Sequence, residues 1–208
     1  MEITALHERA FLQLRDGNRT IYGYNQEWYT TEWQRCAGCG PTTAAVLADY
    51  IGLRDGILTK PDRDSVEKRR RSMEEVWRYV TPGQGGLYKT SWFKEGLQAY
   101  LDRDWTGQYE TEMLRVYPFH IKPVAPDKAA QFIYEGLRND SPVAFLNRNR
   151  GKEPALSTWH WIPIVGIDVH NDQYECTCYD DENRCCFSLN RWLERTSLGG
   201  GFVYVKTL

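Results

Sequence analysis

The chain has 208 residues, 41% of them hydrophobic and 13% aromatic, with a formal net charge of -2. That composition excludes a disordered or fibrous protein, and the length suits one domain with a core large enough to need no staples. Acidic and basic residues are interspersed, so no nucleic-acid partner is expected.

The first residues, "MEITALHERAFLQLRDGNRT", lack a basic start followed by an apolar block, and no apolar stretch reaches the roughly 20 residues a bilayer span requires. A cytoplasmic protein without a membrane partner is therefore expected. In that setting six cysteines read as thiols or ligands rather than as a disulfide framework.

Helical patterns follow Pro41 to about Ile51, Ser65 to about Val80, Ser91 to about Leu101 and Asp127 to about Leu137. Ser91 and Asp127 are good N-cap types. The basic run Lys68–Arg71 lies within the second pattern and is expected to be a solvated face. "TPGQGG" and "RNRGKEP" read as loops. After Ser141 the pattern changes to short strands, "PVAFLN", "HWIPIVGID", "YECTCYD" and "RCCFSL". A short helix, "NRWLERT", and a last strand, "GFVYVKT", follow. The expected fold class is α+β in a single domain, 1–208, with a helical half (about 1–140) packed on an antiparallel sheet half (about 141–208).

Cys39 precedes Pro41, a residue favoured in the first turn of a helix. The thiol is thus expected at a helix N-terminus, where the dipole favours the thiolate and nearby N–H groups can hold an oxyanion. Gly40, and Gly38 before it, would leave room for a substrate. Of the four histidines, His160 has the most suggestive setting. It opens an apolar strand between Trp159 and Trp161, whose rings would exclude water from an imidazole–thiol pair. The alternative is a core-edge histidine with one hydrogen bond. Asp180 ends the next strand and could orient the ring; Asp181 is assigned to the turn. Trp28, Trp33, Trp159 and Trp161 are placed to line a peptide or sugar groove.

Together these residues resemble the papain-like cysteine peptidases, most closely the bacteriocin-leader-processing, double-glycine branch and its stand-alone relatives. "CGPTTAAVLADYIG" is similar to that branch's Cys-Gly-Pro start and small-residue helix. "HWIPIVGID" is similar to its His-Trp strand, and "YECTCYDDEN" lies where the branch places an aspartate. The likeness covers residues 25–52 and 141–208. It implies Cys39 as nucleophile, His160 as base, Asp180 as orienter and a glutamine at the oxyanion. Gln34, five residues before Cys39, is favoured for that role over Gln26. No cofactor or metal is implied. The implied partner is a peptide or other amide or acyl substrate, cleaved through an acyl-enzyme. The branch's double-glycine substrate does not carry over, since its members are usually fused to membrane transporters.

Four other readings compete. An acyltransferase or amidase would use the same site. A zinc knuckle would join Cys36 and Cys39 to Cys176 and Cys178 or to Cys185 and Cys186. A redox reading pairs Cys178 with Cys185, or Cys36 with Cys39. A non-catalytic binder would use the tryptophans alone.

Overall fold

The computed structural model describes residues 2–105 and 108–208. Strand β1 (Glu2–Thr4), helix α1 (Glu8–Leu12) and a hairpin of β2 (Gln13–Asp16) and β3 (Arg19–Tyr22) come first. Helices α2 (Glu32–Ala37), α3 (Cys39–Arg54), α4 (Val66–Trp77) and α5 (Thr90–Asp104) follow. Then come β4 (Tyr109–Val116), α6 (Pro126–Arg138), β5 (Val143–Asn147) and β6 (His160–His170). The chain closes with β7 (Gln173–Asp180), β8 (Asn183–Ser188), α7 (Leu189–Arg195) and β9 (Gly200–Thr207).

The architecture is α+β. Seven strands form one antiparallel sheet in the order β4-β9-β5-β6-β7-β8, with β1 paired to β6 beyond the end of β5. The division at residue 140 is not clean, because β1 and β4 come from the helical half and complete the sheet. The run "YETEMLRV" of β4 alternates too weakly to announce a strand, and pairing with β9 over its whole length makes it one. Among the described residues no helix is long and apolar enough to cross a membrane.

Helix α3 is the centre of the fold. Every residue from Gly40 to Leu53 is buried, so the helix has no solvent face, as its run of Ala, Val, Leu and Ile requires. It packs on β6 on one side and on α4 and α5 on the other. Ser65 caps α4, accepting from the Lys68 N–H. The two expected caps, Ser91 and Asp127, shift. Helix α5 begins at Thr90 with Lys89 at its N-cap, so Ser91 lies inside it. Helix α6 begins at Pro126, whose fixed φ starts a helix without a side-chain cap, and Asp127 instead accepts from the Tyr174 hydroxyl at 2.9 Å.

The run Lys68–Arg71 is not simply a solvated face. Lys68 pairs with Asp64, and Arg70 and Arg71 pair with Glu67. Arg69, however, is only 2% exposed. Its guanidinium donates to the carbonyls of Leu12 and Gly23, both at 2.9 Å, and to those of Phe11 and Gln13 at 3.3 Å. It supplies partners that this bent segment cannot find in a sheet. Beside it, buried Asp49 on α3 accepts from Tyr24 (2.6 Å) and Ser72 (2.7 Å) and pairs with Arg63 (2.6 Å).

Candidate active site

Cys39 is the first residue of α3. The helix does not emerge from an open loop: α2 precedes it, and Gly38 alone joins the two. Neither glycine beside the thiol faces a substrate space. A Cβ on Gly38 would lie 2.3 Å from the Gln34 carbonyl oxygen and 2.6 Å from the Tyr29 ring, and one on Gly40 would lie 2.7 Å from Leu87. Both positions need glycine because the fold closes tightly behind the sulfur, which corrects the expectation that they admit a ligand.

His160 is the first residue of β6 and Asp180 the last of β7. The hairpin between them sets both at one end of the sheet, opposite the start of α3. His160 Nε2 and Asp180 Oδ1 are 2.7 Å apart, and both side chains are mostly buried. With Nε2 engaged, Nδ1 is the ring nitrogen left for the Cys39 thiol, which lines the same crevice. Burial alone would lower the affinity of the ring for its proton. The hydrogen bonds and negative charges of Asp180 and Cys39 outweigh burial and push the His160 pKa up to about 10.

The strand that carries Asp180 is held from the turn side. Asp181 and Glu182 form a two-residue connection with φ of 44° and 68°, the left-handed pair that a tight hairpin needs. Glu182 is a poor residue for that conformation, and tertiary contacts hold it there. Its carboxylate accepts from Trp28 Nε1 (3.0 Å) and Asn25 Nδ2 (3.1 Å) and pairs with Arg19 at 2.7 Å. Its carbonyl accepts from the Tyr22 N–H at 3.0 Å.

A small crevice, about 250 Å³ including the solvent at its mouth, is lined by Cys39, His160 and Asp180, with Gln26, Tyr24 and Trp161 among its other walls. Gln26, not Gln34, stands beside the thiol. Its Nε2 donates to the Arg35 carbonyl at 2.8 Å, and its buried Oε1 has no partner. Gln34 turns back on its own helix, where Thr31 donates to its Oε1 at 2.9 Å. The spacing argument failed because α2 and a short turn at Gln26–Trp28 fold the earlier glutamine back toward α3. The available signal was Asn25, an N-cap residue directly before Gln26.

The tryptophans separate. Trp161 is buried in the crevice wall and donates to the Leu87 carbonyl at 2.6 Å. Trp159 is 43% exposed and donates to Gly85, while Trp33 is 48% exposed on α2 and does not line the crevice. Trp28 is half-buried, held by Glu182.

All six cysteines are free thiols. Cys178 and Cys185 face each other across β7 and β8 with Sγ atoms 3.4 Å apart, and Cys36 is exposed on α2. Among the described residues the group with three metal-ligating atoms close together, within 4.8 Å, is His160, Asp180 and Asp181. No cysteine joins such a group, so the four-cysteine knuckle is not assembled.

The chain matches no protein-family model, no curated protein and no solved structure.

Proposed function

We propose that this chain is a thiol-dependent acyl hydrolase, a cysteine peptidase of papain-like fold, acting through an acyl-enzyme at Cys39. The single observation that carries the reading is the His160–Asp180 pair, 2.7 Å apart, in a crevice that Cys39 also lines. A helix start delivers the sulfur and a sheet delivers the other two groups, an arrangement consistent with the resemblance noted in the sequence.

In the proposed reaction the Cys39 sulfur, its proton already held on the His160 ring at neutral pH, attacks a substrate carbonyl. The Gln26 amide, with the backbone N–H of Cys39, holds the oxyanion. His160 returns its proton to the leaving amine, and Asp180 keeps the ring oriented throughout. Water, deprotonated by the same ring, then releases the acyl group. The substrate class is a peptide or another amide or acyl compound.

Limited labelling with iodoacetamide, followed by mass spectrometry, tests this reading. Cys39 is expected to alkylate first near neutral pH, ahead of the exposed Cys36, and His160→Ala is expected to slow it. Preferential reaction at another cysteine, with no response to His160→Ala, would refute it.

A further inference from the structure

A second, larger cavity opens where α5 begins, with a volume of about 570 Å³ including the solvent at its mouth. Its walls carry three cations, Lys89, Arg115 and Arg148, and no carboxylate. Cations elsewhere on this weakly acidic chain are commonly paired, as Arg54, Arg63, Arg70 and Lys206 are. These three pair with no carboxylate among the described residues; each lies over an aromatic ring. Lys89 Nζ sits 4.1 Å from the Trp92 ring centre, Arg115 4.5 Å from that of Tyr117 and Arg148 5.2 Å from that of Trp159. Ring contacts of this kind hold a cation in place without neutralising it. In addition, Arg148 Nε is buried with no hydrogen-bond partner. Ser91 adds a hydroxyl to the wall, and the first turn of α5 has no side-chain cap.

Three links tie this cavity to the reacting sulfur. Leu87, which packs where a Cβ of Gly40 would be, leads directly into Tyr88 and Lys89 of the wall. Asn147, the residue before Arg148, is the cross-strand partner of His160. Trp159, beneath the Arg148 guanidinium, immediately precedes His160. Arg148 and Lys89 are therefore the cations tied to the crevice, and Arg115 closes the far wall of the cavity on β4.

We propose that this cavity is an anion subsite, holding a carboxylate or phosphate group of the substrate whose carbonyl meets Cys39. The inference rests on the thiol-hydrolase reading and specifies its substrate class: an acyl compound bearing an oxyanion beside the bond that is cleaved. Three convergent, unneutralised charges, two of them guanidinium forks, suit a group with two or more acceptor oxygens.

Two alkylating agents of nearly equal size but different charge test it. In both, the sulfur displaces iodide and a C–S bond forms; iodoacetate carries a carboxylate where iodoacetamide carries a neutral amide. The measurement is the ratio of the iodoacetate to the iodoacetamide rate constant at Cys39. Lys89→Gln, at an exposed position two residues past Leu87, is expected to lower that ratio about twofold, the size of one unit charge acting through a watery medium, and Arg115→Gln, three strands from His160, to lower it by less. The double variant should lower it further, and Arg71→Gln on α4 should leave it alone. Inorganic phosphate and acetate, added at constant ionic strength, should each slow the iodoacetate reaction, and the stronger competitor names the preferred oxyanion. An unchanged ratio in the double variant, with iodoacetamide still singling out Cys39 and responding to His160→Ala, overturns the subsite alone. Loss of that selectivity and response overturns the hydrolase reading and the subsite with it.

Discussion

Two polar clusters flank α3, and they are built differently. Around Asp49 and Arg69, buried charges meet many partners within the chain: two hydroxyls and a guanidinium on the carboxylate, five carbonyls on Arg69. At the start of the same helix, Cys39 and the His160–Asp180 pair line one crevice, beside a glutamine whose oxygen has no partner. The first cluster joins α3, α4 and the N-terminal segment. The second leaves capacity for a group that is not part of the chain. Polar burial of similar depth is thus closed off within the chain in one place and opens on a crevice in the other.

Substitutions at the two clusters should break in different measurements. The largest effect is expected from His160→Ala, which should reduce turnover of an activated ester by about 10⁴-fold, the upper range for loss of a general base, with a much smaller change in denaturant midpoint. Arg69→Ala should do the reverse. It removes a buried donor shared by five carbonyls and should cost about 3–5 kcal/mol in chemical denaturation, while the Cys39 labelling pattern survives in whatever remains folded. Gln26→Ala should slow ester turnover by about 10²-fold through loss of an oxyanion donor. Gln34→Ala should leave turnover unchanged, and equal effects of the two would dissolve the distinction drawn between them.

Asp180→Asn is expected to act more mildly on turnover, by about tenfold, and to lower the titration point of the His160 ring from about 10 as followed by NMR. The same shift has a consequence for stability. A ring that binds its proton more tightly when folded contributes fully below its unfolded value, near 6.5, and that contribution is lost as pH rises through about 10. Unfolding free energy should therefore decline across that window in the native chain and decline less in Asp180→Asn.

What the sequence disclosed was local. The small-residue helix after Cys39, the apolar strand after His160 and the alternating run ending at Asp180 each carry their signal within a dozen residues, so these side chains could be placed on their elements before any coordinates. The facing of Cys178 and Cys185 followed from the same hairpin arithmetic. What escaped depends on distant partners. Strand β4 exists through β9, Arg69 is buried because remote carbonyls need it, and Gln26 reaches the crevice because of how the chain turns before α2. Periodicity says which face of an element is apolar and nothing about which surface will be laid against it.

The grip on Glu182 ties together two pieces of the crevice that are far apart in the chain. Its carboxylate is bonded to Asn25, next to Gln26, and to Trp28, while its own strand connection begins one residue past Asp180. Glu182→Ala is expected to loosen the Gln26 turn and the end of the Asp180 strand together, because one carboxylate clasps both.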